Sequence, residues 1–90
     1  MKKKLIVQKL GGSSLSSIKK IKRAAQKIKK EIISGNNVVV VVSALGKTTD
    51  YLQSLINKTD VNADLKEIDT ILSSGEQVSS ALMALFLNKI

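Results

Sequence analysis

Three short stretches of the sequence place glycines, hydroxyls and charges together at spacings that could do chemistry. The first is Lys9-Leu10-Gly11-Gly12-Ser13-Ser14. Two adjacent glycines let backbone approach an anion closely. A helix start just beyond would offer free N–H groups and a positive dipole end, and Lys9 adds a full charge. Together these make a phosphate cradle; the plain alternative is a tight turn with Lys9 on the surface. The second stretch is Ser43-Ala44-Leu45-Gly46-Lys47-Thr48-Thr49-Asp50. Gly46-Lys47-Thr48 suggests a P-loop, but that motif needs a glycine where Val41 stands, so it is rejected. Hydroxyls at the carboxyl end of a parallel strand nevertheless lie where α/β proteins bind ligands; helix capping explains either threonine equally well. The third is Ser73-Ser74-Gly75-Glu76-Gln77. Glycine within a helical pattern costs about 1 kcal/mol against alanine, which close approach of a ligand would justify, leaving Glu76 to hold an ammonium group. The alternative is a helix break, with Glu76 in the favourable first turn of a new helix.

The elements that must hold these stretches follow from periodicity. Leu5-Ile6-Val7 reads as a first strand ending at Gly11-Gly12. Hydroxyls between Ser13 and Ser17 can cap a helix whose apolar positions Leu15, Ile18, Ile21, Ala25, Ile28 and Ile32 recur every three or four residues. Ser34-Gly35-Asn36-Asn37 stops it. Val38 to Val42 has no alternation, so both faces of this second strand should be buried. Strand, helix and strand make a βαβ unit with a parallel pair. Thr48 or Thr49 then opens a short helix through Leu52, Leu55 and Ile56, and Asn57 to Asn62 reads as a polar loop. Asp64 opens a further helix through Leu65, Ile68, Ile71 and Leu72, which Ser73-Ser74-Gly75 should interrupt before Val78, Ala81, Leu82, Leu85 and Phe86 resume it. Two strands alone make a marginal sheet. The residues therefore specify a piece of a larger sheet, and truncation is favoured over partners that supply the missing strands.

Composition narrows the choice further. Ninety residues make one small domain, with no cysteine for disulfides or thiolate metal sites and no histidine to act as a general base. Residues 1–45 carry eleven Lys/Arg against the single acid Glu31, whereas residues 46–90 carry four Lys against six acids. Most of the basic excess (Lys19, Lys20, Lys22, Arg23, Lys27, Lys29 and Lys30) sits on the outer positions of one amphipathic helix. A small basic nucleic-acid-binding module is the alternative reading, but Tyr51 and Phe86 are the only aromatics available for stacking. No run approaches the roughly 18 apolar residues of a membrane span, and Gln8-Lys9 cuts short anything like a signal peptide. The expectation is a cytoplasmic protein.

Taken in order, the three stretches resemble the aspartate kinase branch of the amino-acid kinase family across essentially the whole sequence. That family opens with Lys-aromatic-Gly-Gly-Thr/Ser-Ser, matched by Lys9 to Ser14 with Leu10 in place of the aromatic. A valine-rich strand ending in Ser-Ala-Met-Gly-Lys/Asp-Thr-Thr-Asp follows, matched by Val38 to Asp50, then a helical Gly-Glu pair followed by Ser and Leu positions, matched by Ser74-Gly75-Glu76 to Leu82. The resemblance implies an α/β fold: the N-terminal βαβ portion of a carbamate-kinase-like three-layer αβα sandwich, left incomplete. Residues 1–90 would be the N-terminal part of the kinase domain, with the rest of the catalytic domain and the regulatory domains absent. It implies ATP and Mg²⁺, with the γ-phosphoryl group passing to the side-chain carboxylate of L-aspartate in lysine, threonine and methionine biosynthesis. By position, Lys9 would be catalytic and offset the charge of the transferring group. Lys9, Leu10, Gly11, Gly12, Ser13 and Ser43 would bind the ATP phosphates, Thr49 and Glu76 would bind aspartate, and no residue would ligate metal. The implied partners are these two small molecules, neither nucleic acid nor membrane, with the missing remainder of the kinase or a second copy as protein partner. The loops should meet at one rim of the sheet.

Overall fold

The computed structural model describes residues 3–59, 62 and 64–90. Strand β1 (Leu5–Leu10) and strand β2 (Asn37–Val42) pair in parallel, in register from Leu5 opposite Asn37 to Leu10 opposite Val42. Helix α1 (Ile18–Ile33) connects them, as the alternation of apolar runs and turn residues predicts. The first strand runs through Gln8, Lys9 and Leu10 up to the glycines, as expected, because the β2 valines offer paired backbone along their whole length.

Helix α1 does not start directly after the glycines. A 3-10 turn over Gly12–Leu15 intervenes, and Ser17 then caps α1 by accepting from the Lys20 N–H at 3.2 Å. At the far end Asn36 N donates to Glu31 O at 3.2 Å and Gly35 N to Ile32 O at 3.0 Å, the Schellman pair. Gly35 takes the left-handed φ of +93° that this ending requires. Leu15, Ile21, Ala24, Ala25 and Ile28 are buried, whereas Ile18 and Ile32 of the expected stripe, the first within the first turn of α1 and the second in its last, are exposed.

Helix α2 (Thr48–Thr59) reaches three residues into the expected Asn57–Asn62 loop, of which Asp60 and Val61 lie outside the described residues. Helix α3 (Leu65–Lys89) opens with the Asp64 carboxylate accepting from the Lys66 N–H at 2.9 Å. It runs unbroken for 25 residues through Ser73-Ser74-Gly75, where the sequence predicts an interruption. Two causes sustain it. Ser73 and Ser74 satisfy their hydroxyls within the helix, donating to Thr70 O and Ile71 O at 3.2 and 2.6 Å. Gly75 is buried where an added Cβ would be crowded by Ala44, Thr48 and Leu52 at 3.1 to 3.4 Å.

The core joins Leu15, Ile21, Ala24, Ala25 and Ile28 to Met83, Phe86 and Leu87 of α3, with Leu10, Val38, Val40 and Val42 beneath. Helices α1 and α3 therefore cover the same face of the sheet. The other face carries Leu5, Val7, Val39 and Val41, which are 68, 63, 47 and 45% exposed. The expectation that both faces of β2 are buried is thus met on one face only, since no described element packs against the second. The molecule is elongated, 54 × 26 × 19 Å.

Candidate active site

Parallel pairing brings the carboxyl ends of β1 and β2 to one rim. The register closes with Ser43 N donating to Leu10 O at 3.2 Å. Both turn stretches begin at this point, and they pack directly on each other. A Cβ built on Gly12 would stand 3.2 Å from Gly46 O, 3.6 Å from Ala44 O and 3.9 Å from Ser43 Oγ. Gly46 adopts a φ of +47°, and a Cβ there would lie 3.6 Å from Ser16 Cα. Gly12 is needed for this close approach and Gly46 for its left-handed turn. Gly11, in contrast, faces open space within 4 Å.

The third stretch joins the same rim from α3. A Cβ on Gly75 would meet Ala44 Cβ at 3.1 Å, Thr48 Cγ2 at 3.2 Å and Leu52 Cδ1 at 3.4 Å. One turn later Ser79, 1% exposed, donates its hydroxyl to Ser43 O at 2.6 Å, with Glu76 O at 3.1 Å as a second acceptor. Glycine contact and buried hydrogen bond together clamp α3 to the β2–α2 turn. Thr49 and Glu76 are the residues next to the touching pair Thr48 and Gly75, and both are exposed.

The sequence-predicted residues divide accordingly. Gly12 and Ser43 face each other across the rim. Ser43 is half-buried, and its hydroxyl makes a long 3.4 Å bond to Ala44 O. Ser13 is exposed, its carbonyl accepting from Ser16 Oγ at 3.0 Å and Lys20 Nζ at 3.5 Å. Leu10 contributes apolar packing beneath the core and the strand-closing carbonyl. Lys9 precedes it on the opposite, open face of the sheet and is exposed. The first turn of Gly12–Leu15 has its opening bond from Ser14 N to Gly11 O at 3.1 Å, so the N–H groups ahead of it are the free donors a helix start leaves.

Sequence reasoning missed Ser79 and Lys20. Ser79 follows Gly75 by four residues, so two small residues share one helical face, a spacing that signals close approach of another element. The donors at the rim (an ammonium, backbone N–H groups and hydroxyls) suit anionic oxygen. No group of three or more Asp/Glu that could hold a metal occurs among the described residues. No described helix is long and apolar enough to cross a membrane, α3 included.

A sequence model of the Amino acid kinase family matches residues 4–90. The chain is similar to an aspartokinase of Geobacillus stearothermophilus, 48% identical over 85 residues that cover 94% of this chain and 21% of that protein. An aspartokinase of Mycolicibacterium smegmatis is 42% identical over 86 residues, 96% of this chain and 20% of that one. The fold superposes on a crystal structure of aspartate kinase from Synechocystis with a TM-score of 0.91 and 48% identity, covering 94% of this chain and 14% of the other. The chain thus spans about a fifth of the length of these curated relatives.

Proposed function

Because the chain belongs to the amino acid kinase family, we propose that it is the N-terminal part of an aspartate kinase catalytic domain, with the rest of that domain and the regulatory domains lying outside residues 1–90. The reaction is transfer of the γ-phosphoryl group of ATP to the side-chain carboxylate of L-aspartate. A carboxylate oxygen forms the new P–O bond, the bond to the β-phosphate oxygen breaks, and ADP leaves with the electron pair. The product, 4-phospho-L-aspartate, is an acyl phosphate on the route to lysine, threonine and methionine, formed in the cytoplasm.

The observation that carries this reading is the convergence of all three stretches on one rim, through Gly12 against Ser43 and Gly46 and through Gly75 and Ser79 against Ala44, Thr48 and Ser43. The nucleophile is already ionised at neutral pH, so the absence of histidine costs nothing. What remains is positioning and charge neutralisation, which dominate phosphoryl transfer. Lys9 offsets the charge of the transferring group. Backbone N–H groups of Gly11 and Gly12, with Leu10 and Ser13 alongside, bind the phosphates. Ser43 stands where phosphate and carboxylate meet, Thr49 contacts aspartate, and Glu76 binds its ammonium group. Mg²⁺ would supply further neutralisation of the triphosphate charge at this rim.

Amide chemical shifts of the isotope-labelled chain, titrated with Mg²⁺-ATP and then L-aspartate, test the assignment. The expected result is ATP-induced shifts at Gly11, Gly12 and Ser43, lost in Lys9→Gln, and aspartate-induced shifts at Thr49 and Glu76. Shifts confined to the Ser34–Asn36 end of the molecule, or none, would refute it.

A further inference from the structure

Five hydroxyls on α2 and α3 turn back on their own helix. Ser54 and Thr59 donate to Tyr51 O and Leu55 O at 2.7 and 2.8 Å, and Thr70, Ser73 and Ser74 donate to carbonyls three or four residues behind them. Such bonds tie a helix to nothing else. Ser79 behaves differently. Glu76 O and Gly75 O, three and four residues back, are within its reach at 3.1 and 3.4 Å, yet its shortest bond, 2.6 Å, goes to Ser43 O, 36 residues away. A hydroxyl carries one proton, and the distances give it to Ser43. Among the described residues Ser79 is also the one polar side chain that is buried.

The two ends of this bond belong to different halves of the proposed substrate site. Ser43 and its turn carry the phosphate side, because Gly12 rests on that turn: its Cβ would stand 3.2 Å from Gly46 O and 3.6 Å from Ala44 O. Glu76, on the ammonium side, lies three residues before Ser79 in an unbroken helix, so the two move together. The other tie between α3 and the turn is the apolar contact at Gly75. Apolar contact is non-directional; it sets how close the helix sits, not how far it slides or rotates. A short hydrogen bond has a preferred direction and restrains both.

We infer that Ser79 is a positioning residue for the proposed transfer: by holding Ser43 O, it sets the ammonium-binding turn of α3 against the phosphate-bearing turn, so that carboxylate and phosphoryl group meet at attacking distance. Buried beneath the rim, it acts through Ser43 and not on either substrate. The inference rests on the assignment of Ser43 to the junction of phosphate and carboxylate and of Glu76 to the ammonium group. Attack needs reacting atoms about 3–3.5 Å apart, and a misplacement of about 1 Å costs about a hundredfold in rate. Two half-sites joined in this way register each ligand in the other's affinity. Removing the hydroxyl leaves each half able to bind and takes away the joint.

The test reads coupling, not stability, on the 90-residue chain. L-Aspartate is titrated with and without saturating Mg²⁺-ATP and followed through the amide shifts of Thr49 and Glu76. ATP should change the aspartate Kd of the unaltered chain about fivefold. In Ser79→Ala that change should fall below about twofold, while each ligand alone keeps its affinity. Ser79→Cys, close to serine in shape but only a weak S–H donor, should lose coupling likewise and serves where alanine unfolds the chain. Ile28→Val trims the buried face of α1 away from the bond; it destabilises the fold but should leave coupling intact. In the unaltered chain, Mg²⁺-ATP alone should shift the amides of Ser79 and Ser80, across the bond from the phosphates. Coupling that survives in both Ser79 variants, equal loss in Ile28→Val, or no ATP-induced shift at Ser79 and Ser80 would overturn the inference while the substrate assignment stands. No response of the unaltered chain to either ligand would refute that assignment, and this inference with it.

Discussion

Replacing Ser79 with alanine isolates the bond that ties α3 to the site loop. The substitution deletes one hydroxyl and adds no atom, so no clash confuses the result. It leaves Ser43 O without its 2.6 Å partner in a position that the protein half-buries. An unsatisfied buried acceptor costs about 1–3 kcal/mol. Against this, alanine is the better helix former by about 0.5 kcal/mol, so the raw change understates the bond. Ser80→Ala supplies the correction: it makes the same swap one residue on in the same helix, at an exposed position. The propensity gain cancels between the two variants, leaving a difference of about 1.5 kcal/mol attributable to the Ser79–Ser43 bond. For a domain of this size that is a gap in Tm of about 6–12 °C, read by circular dichroism during thermal unfolding. Urea midpoints at unchanged slope give an independent value. If Ser79→Ala melts at or above Ser80→Ala, the hydroxyl does not hold the two elements together, and the clamp described for the rim is wrong.

Gly75→Ala should destabilise the chain by about 1 kcal/mol despite the propensity gain, because overpacking against the stiff Ala44 methyl outweighs it; Ala44→Gly in the same chain should restore the urea midpoint. Gly12→Ala should displace the two turns, shifting the amide resonances of Ala44 to Gly46 and weakening any ATP response, since a Cβ there meets backbone at 3.2 Å. Gly11→Ala, with open space around it, should change the urea midpoint by less than about 0.5 kcal/mol equivalent. Residues 1–90 alone should show no measurable aspartate-dependent ADP release in a coupled assay, because they span about a fifth of the relatives' length; turnover would contradict that.

What the sequence made legible is largely what neighbours along the chain decide. The Ser17 cap, the left-handed Gly35, the Asp64 cap and the strand–helix–strand order all rest on contacts within a few residues, and all are seen. The errors come from contacts distant in sequence. Gly75 reads as a helix breaker because local propensity penalises it, while the approach of Ala44 and Thr48 that keeps it there leaves no local trace. The same holds for Ser79, whose acceptor is 36 residues away. Five consecutive valines state that β2 suits burial on both sides but do not say that this stretch supplies both covers, and it supplies one. In sequence the basic face of α1 reads as one solvated surface. Only the position of β1 beneath it separates Lys20, Arg23 and Lys27, which line a groove with Gln8 and Leu10, from their neighbours.

The uncovered side of the sheet has a consequence for handling and for life in a cell. Leu5, Val7, Val39 and Val41 form a contiguous water-facing apolar strip beside an unpaired strand edge. Both features invite another chain of the same kind. Raising the concentration should therefore promote self-association, with those four side chains expected to lose solvent contact first. A newly made copy left without its complement therefore presents a sticky surface of the kind that chaperones and proteases engage.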